Sequence, residues 1–184
     1  MNFNTATYLV IGILLRKPMS GYDIVKELAS FRPAKSSQIY PILARLEKND
    51  YIACEQVQQD GKPNKKIYTV TTKGKDALEA WFDTTPEAPV IRDDFLSMFF
   101  SIWIKDPETL IKMVTERLKY MNKVLDTFNS KIKILEKNYP NDINNFYSWR
   151  NCTFFLYKRR IAMTEEDIKW CKYILTQQNL DTQQ

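Results

Sequence analysis

The side chains with chemistry to offer in this chain are amides, hydroxyls and cations rather than nucleophiles or metal ligands. Gln38 and Arg45 stand two helical turns apart in SSQIYPILARLEKNDYI, residues 36–52. Glutamine can pair with an adenine edge and arginine with a guanine edge, so both have the donors to read bases. Ser36, Ser37 and Tyr40 add hydroxyls able to bond a phosphate oxygen, and Lys62, Lys65 and Lys66 form a basic cluster downstream. Phosphate contacts set register and affinity, while base-edge contacts set sequence. The complementary chemistry is missing. The chain has no histidine, which removes Ser-His-Asp and Cys-His nucleophilic sites and histidine metal sites. Cys54, Cys152 and Cys171 lack a C-x-x-C pairing, and the four glycines form no phosphate-cradling loop. Catalytic residues, a bound metal and a cofactor are therefore not expected.

These residues need elements to position them. In residues 36–52, Ile39, Leu43 and Leu46 recur at helical spacing and predict one apolar stripe, with Ser36 and Ser37 as N-cap candidates. Pro41 is tolerable near a helix start, and Asn49-Asp50 suits a turn. Upstream, residues 4–16 read as an apolar helix ended by Pro18, and Ser20-Gly21-Tyr22-Asp23 as a capping box opening a second helix to about Ser30. That helix turns Ile24, Leu28 and Phe31 inward. Two short helices joined by a tight connection predict a helix-turn-helix whose second member enters the major groove. Residues 51–57 and 66–70 are β-prone and flank the turn signals Asp60-Gly61 and Pro63-Asn64, predicting a two-stranded ribbon with lysines at its tip. A solvated hairpin is the bland alternative. Behind a helix-turn-helix, a basic tip reads better as a wing on phosphates. Thr71 or Thr72 then caps a further helix with Leu78, Trp81 and Phe82 at core spacing.

The order helix, helix, helix, ribbon, helix is that of a winged helix-turn-helix. Its motifs, S-G-Y-D-I, then S-S-Q-I-Y-P-I-L-A-R-L-E-K-N-D-Y-I, then K-K-I-Y-T-V-T-T-K-G-K, resemble the PadR family of bacterial regulators over residues 8–82. The long C-terminal part is similar to the larger subfamily, which includes phenolic-acid-responsive repressors. The resemblance implies a homodimeric transcriptional regulator, usually a repressor. One departure is Asp50, where many relatives carry glycine; aspartate tolerates left-handed geometry better than most residues.

Residues 84–90, TTPEAPV, read as a linker. They divide the chain into a DNA-binding domain, 1–85, and a helical dimerisation domain, 86–184, for a mainly α fold with a small two-stranded β-wing. Residues 91–104 predict one aromatic-rich helix, and Asp106-Pro107 starts the next as N-cap and N1. Ile111, Val114, Leu118, Met121, Leu125, Phe128, Ile132 and Leu135 then alternate in steps of three and four, a coiled-coil-like seam assigned to dimerisation. A helix of about 45 Å outgrows its own winged domain and needs a partner, from its own chain and from a second subunit. The last segment, residues 143–177, carries one stripe at Ile143, Tyr147, Phe154, Tyr157, Ile161, Ile168, Cys171 and Leu175. A second runs through Phe146, Trp149, Leu156, Met163, Trp170 and Ile174. Two stripes predict a wide buried face. Arg150 and Thr164 interrupt it. Arg150 either pairs with a nearby acid or, with Trp149 and Trp103, lines a pocket for an aromatic carboxylate effector.

The totals agree. The 184 residues are 44% hydrophobic and 27% charged, the balance of a soluble globular protein. A net charge of +5, from 27 basic against 22 acidic residues, tolerates an anionic partner. No apolar run approaches the roughly 18 residues of a membrane span, the apolar block at residues 8–15 lacks a basic flank, and three scattered cysteines suit a reducing cytosol. The expectation is a cytoplasmic, homodimeric regulator of double-stranded DNA, released by a small effector, with an inverted-repeat operator and recognition helices about 34–36 Å apart. An activator working with a partner protein, or a winged interaction module, are the rivals.

Overall fold

The computed structural model describes residues 3–29, 35–59, 62–90 and 92–181, and the chain divides into two compact units, 1–89 and 90–184.

In the first unit, α1 (Thr5–Leu14) leads into the two-residue strand β1 (Met19–Ser20), then α2 (Gly21–Ala29) and α3 (Ser36–Lys48). The ribbon follows as β2 (Ile52–Gln59) and β3 (Lys62–Val70), and α4 (Thr72–Phe82) closes the unit. β1 pairs antiparallel with β3, making a three-stranded sheet in the order β1-β3-β2 where the sequence predicts two strands. The alternation rule cannot see a strand this short, since two residues carry no period. Phe31, expected inward, lies outside the described residues.

Local chemistry explains the helix ends. Asn4 caps α1 by accepting from the Thr7 amide at 3.0 Å, and Thr71 caps α4 by accepting from the Gly74 amide at 3.2 Å. α3 departs from expectation: its N-cap is Lys35, in extended backbone, so Ser36 and Ser37 sit inside the first turn. Gln38 does the capping, its side-chain oxygen accepting from the Lys35 amide at 3.3 Å. At the other end Asp50 takes φ 59°, the left-handed turn that its short polar side chain tolerates. Gly74 is required by packing, because a Cβ there would stand 2.1 Å from the Tyr51 carbonyl oxygen. The core comprises Val10, Ile11 and Leu14 of α1, Ile24 and Leu28 of α2, Ile39, Ile42, Leu43 and Leu46 of α3, Ile52, Tyr68 and Leu78. Burying each large aliphatic side chain contributes about 1.5–3 kcal/mol, so α3 is held from one face by four residues.

The second unit contains α5 (Asp94–Phe100), a 3-10 turn (Ile102–Ile104), α6 (Pro107–Asn138), α7 (Pro140–Ile143) and α8 (Trp149–Asp181). The aromatic segment is therefore two pieces, since Ser101 leaves helical geometry after Phe100. The last helix starts at Trp149, leaving Phe146 and Tyr147 exposed in the connection. Asp106 caps α6 with Pro107 at its start, as expected, and the amide and hydroxyl of Thr109 both donate to it. Those bonds hold the Asp106 carboxyl below its usual range.

α6 packs along α8 of the same chain. Val114, Met121, Ile132 and Leu135 are buried there, Leu118, Leu125 and Phe128 are half-buried, and Ile111 stays exposed. The own-chain half of the expected partnership is thus supplied by α8. An a/d stripe reports that a helix has a partner and not which chain supplies it, and the exposed Ile111 and half-buried Leu118, Leu125 and Phe128 leave part of the seam open. Asp93 and Arg117 join α5 to α6 by an ion pair of 2.5 Å, with the guanidinium over the Phe95 ring. Thr164, which interrupts the α8 stripe, is buried with its hydroxyl donating to the Arg160 carbonyl.

Candidate nucleic-acid interface

The outer face of α3 is built by subtraction. With Ile39, Ile42, Leu43 and Leu46 turned into the core, Ser36, Ser37, Gln38, Tyr40, Ala44 and Lys48 are left exposed. This face is donor-rich, and its one carboxylate is Glu47, beyond Ala44 at the edge of the wing groove. Gln38 keeps its amide N–H₂ and a second oxygen lone pair while it caps, so an adenine edge remains within its chemistry. Tyr40 lies over Gly21 so closely that a Cβ there would sit 2.7 Å from its ring. The glycine is what lets the start of α2 meet α3.

Arg45 is exposed beside this face, and its side chain reaches toward α1. Its guanidinium donates to the Thr7 hydroxyl at 2.9 Å and rests 5.7 Å from the Phe3 ring centroid. Thr7 is fully buried and its hydroxyl donates in turn to Asn4 at 2.8 Å. In the free chain Arg45 thereby also ties α3 to the start of α1. Residue spacing shows that Arg45 borders the polar face; it cannot show which neighbour lies within reach of a long side chain.

Beside α3, Lys65 and Lys66 of the wing border a groove of about 540 Å³ with Ser20, Tyr22, Tyr40 and Glu47. Lys65 Nζ lies 3.3 Å from Asp23 Oδ2, and Lys66 Nζ lies 3.9 Å from Glu47 Oε2. The side chain of Lys62 lies outside the described residues. Asp23 also accepts from the Ser20 hydroxyl at 2.6 Å, the main reason its carboxyl is held below the usual range. At the groove floor, burial pushes the Tyr68 hydroxyl up to about 12, helped by the neighbouring Cys54 and the charge of Glu47. Burial first, then Glu47, raises the Cys54 thiol, which leaves it poorly nucleophilic. Tyr22, Asp23, Glu47 and Tyr68 were not legible as site residues. Asp23 showed only as a capping residue.

The effector pocket fares differently. Arg150 Nη1 donates to Asp142 at 2.6 Å, and its guanidinium stacks on Tyr139 and Trp149, 4.0 and 4.5 Å from their centroids. Trp103 is largely exposed in the 3-10 turn before α6, whereas Arg150 lies beyond the other end of that 32-residue helix. About 48 Å of helix separates them. Within one chain Trp103 does not join Trp149 and Arg150, and the pairing of Arg150 with a nearby acid is what forms.

Comparison with known proteins meets this geometry at the same residues. Residues 10–80 match the transcriptional regulator PadR-like family, spanning α1 through the wing to α4. The chain carries a PadR-family transcriptional-regulator domain. Residues 91–178 match the family described as virulence activator alpha C-term, so the PadR-type domain is followed by a C-terminal region of that type. The chain is 37% identical over 94 residues to the negative transcriptional regulator PadR of Bacillus subtilis, and 28% over 78 residues to a probable transcriptional regulator of Mycobacterium tuberculosis. These matches span about half the length of the curated relatives, 52% and 41%. In three dimensions the chain resembles Bacillus subtilis PadR in complex with operator DNA, with a TM-score of 0.84 and 25% identity, covering 96% of this chain and 99% of that one. Two further likenesses concern the fold alone. Bacillus subtilis PadR in complex with p-coumaric acid has a TM-score of 0.75 at 24% identity, covering 96% and 99% of the two chains. The virulence activator AphA of Vibrio cholerae has 0.71 at 20%, with the same coverage. The relatives of the PadR-type domain are described as transcriptional regulators, not enzymes. Among the described residues no helix is long and apolar enough to cross a membrane, and no cluster of potential metal ligands occurs.

Proposed function

We propose that this protein is a cytoplasmic, homodimeric repressor that binds an inverted-repeat operator and leaves it when a small aromatic effector binds. The observation that carries the reading is the donor-rich outer face of α3 beside the wing lysines in a PadR-family domain. α3 reads base edges through Gln38, Tyr40, Ser36 and Ser37 contact the backbone, and Lys62, Lys65 and Lys66 take phosphates. The 1–85 part binds DNA and the 86–184 part dimerises. The second subunit packs against the part of the α6 seam that α8 leaves open, Ile111, Leu118, Leu125 and Phe128, and on the other stripe of α8, where Trp149, Leu156 and Met163 are exposed at heptad spacing. Repression and a phenolic effector are read from the Bacillus subtilis relative, a negative regulator that binds p-coumaric acid. An effector works by binding one separation of the two winged domains more tightly than another. The match of residues 91–178 to a virulence-activator family favours a second reading, an activator acting with a protein partner.

The test is fluorescence anisotropy with DNA from immediately upstream of the protein's own gene and with random-sequence duplex. Wild type is expected to prefer the upstream DNA and to weaken steeply with salt. Lys65→Ala/Lys66→Ala should weaken both DNAs alike, by a shared factor. Gln38→Ala should cost about 1–3 kcal/mol on the upstream DNA alone. Binding no tighter than to random duplex, untouched by the substitutions, would refute the regulator and favour an interaction module.

A further inference from the structure

The two wing lysines are each occupied. Lys65 is held by Asp23 of α2 and Lys66 by Glu47 of α3. The two acids come from different helices. Neither acid is loosely placed. Asp23 belongs to a closed cap: its carboxylate accepts from the Ser20 hydroxyl at 2.6 Å, and that hydroxyl accepts from the Asp23 amide at 3.2 Å. Glu47 lies in the last turn of α3 at the wall of the groove that Lys65 and Lys66 also line. The side chains of all four are 37–52% exposed, so the pairs add little to folding. Their consequence falls on whatever anion competes for the lysines.

We infer that Asp23 and Glu47 limit DNA affinity from within the protein, as internal anions that a phosphate must displace before the wing can bind. This rests on the reading of the wing as a phosphate-contacting element. The physics is ion exchange. A lysine moving from solvent to a phosphate releases about 0.9 cation from the DNA atmosphere. A lysine leaving a carboxylate releases the same cation, but the abandoned carboxylate takes one up. The exchange then nearly cancels, and the salt dependence of binding falls short of the phosphates contacted by almost one per pair. The stranded carboxylate also faces the DNA backbone with its own sign of charge. Both effects are blind to sequence, because the wing lysines meet phosphates and not base edges.

Glu47→Gln tests this most cleanly, since Glu47 caps no helix. Affinity for upstream and random duplex should rise by the same factor, about two- to five-fold at low salt, the scale of one exposed charge pair. The slope of log affinity against log salt should steepen by about 0.9. Asp23→Asn should act alike and add to it, with circular dichroism reporting whether the α2 cap survives. In a Lys66→Gln background Glu47→Gln should leave the slope unchanged, because the carboxylate then holds nothing. Weaker binding by Glu47→Gln would mean that the carboxylate pre-orients the lysine for DNA, and the inference is overturned. Unchanged affinity and slope, in a wild type that binds DNA with clear salt dependence, would overturn it while leaving the regulator standing. A wild type that does not bind duplex DNA in a salt-dependent way overturns the regulator and this inference together.

Discussion

The two units are similar in length and finish their cores differently. Among the described residues the winged unit buries fourteen hydrophobic side chains and the helical unit seven. The winged unit satisfies itself: four helices and a small sheet surround one cluster, and its helix ends are closed by short-range caps. The helical unit pairs α6 with α8 and leaves large apolar side chains uncovered, among them Met98, Phe100, Trp103, Phe155, Leu156 and Met163. One unit is a closed fold that presents a polar face. The other is an open one whose apolar surface awaits company, as soluble chains rarely leave such patches bare.

The largest effect expected from this contrast is on folding of the closed unit. Leu43 is fully buried at the centre of its cluster, so Leu43→Ala should cost about 2–5 kcal/mol in denaturant unfolding. The exposed stripe should behave otherwise. Met163→Glu places a charge on a face that is 44% exposed in the single chain, so helicity and stability of the isolated subunit should change little. Its cost should appear in assembly, as a weakening of the dimer by at least about tenfold in sedimentation equilibrium, since an unpaired charge buried at an interface is strongly unfavourable. A dimer indifferent to Met163→Glu would move the subunit interface off this stripe.

The same contrast governs what the sequence made legible. Elements of the winged unit were readable because each is closed by local chemistry: the Ser20–Asp23 cap, Thr71 at the start of α4, the left-handed Asp50, and the 39–43–46 stripe all act within a few residues. β1 escaped because its partner, β3, is distant in sequence and its two residues have no pattern. In the helical unit periodicity located α6 and its need for an own-chain partner, which α8 supplies; the seam of a hairpin and the seam of a dimer are written alike. For the site, the exposed α3 residues were legible from the stripe opposite them. The ion pairs of Lys65 and Lys66 were not, because they join residues far apart in the chain. The Arg45 contact was hidden for that reason too: its acceptor, Thr7, lies 38 residues away.

The smallest expected effect separates those two views of Arg45. As a base reader, Arg45→Ala should cost discrimination of about 1–3 kcal/mol at one operator position and leave stability alone. As the anchor seen here, it should cost about 1 kcal/mol of stability and leave the ratio of upstream to random binding unchanged. The hydrogen bond to Thr7 supplies the sharper arm. Thr7→Val removes the acceptor at nearly constant volume, although it also takes away one of the two donors to the Asn4 cap oxygen, leaving the Thr7 amide. If the Arg45–Thr7 bond is what Arg45 contributes, the double variant should lose less stability than the two single losses added together, because the second substitution removes a contact already gone. Strict additivity would mean that the two side chains do not act through each other. The guanidinium would then be available to DNA, and the recognition face would extend to the far end of α3.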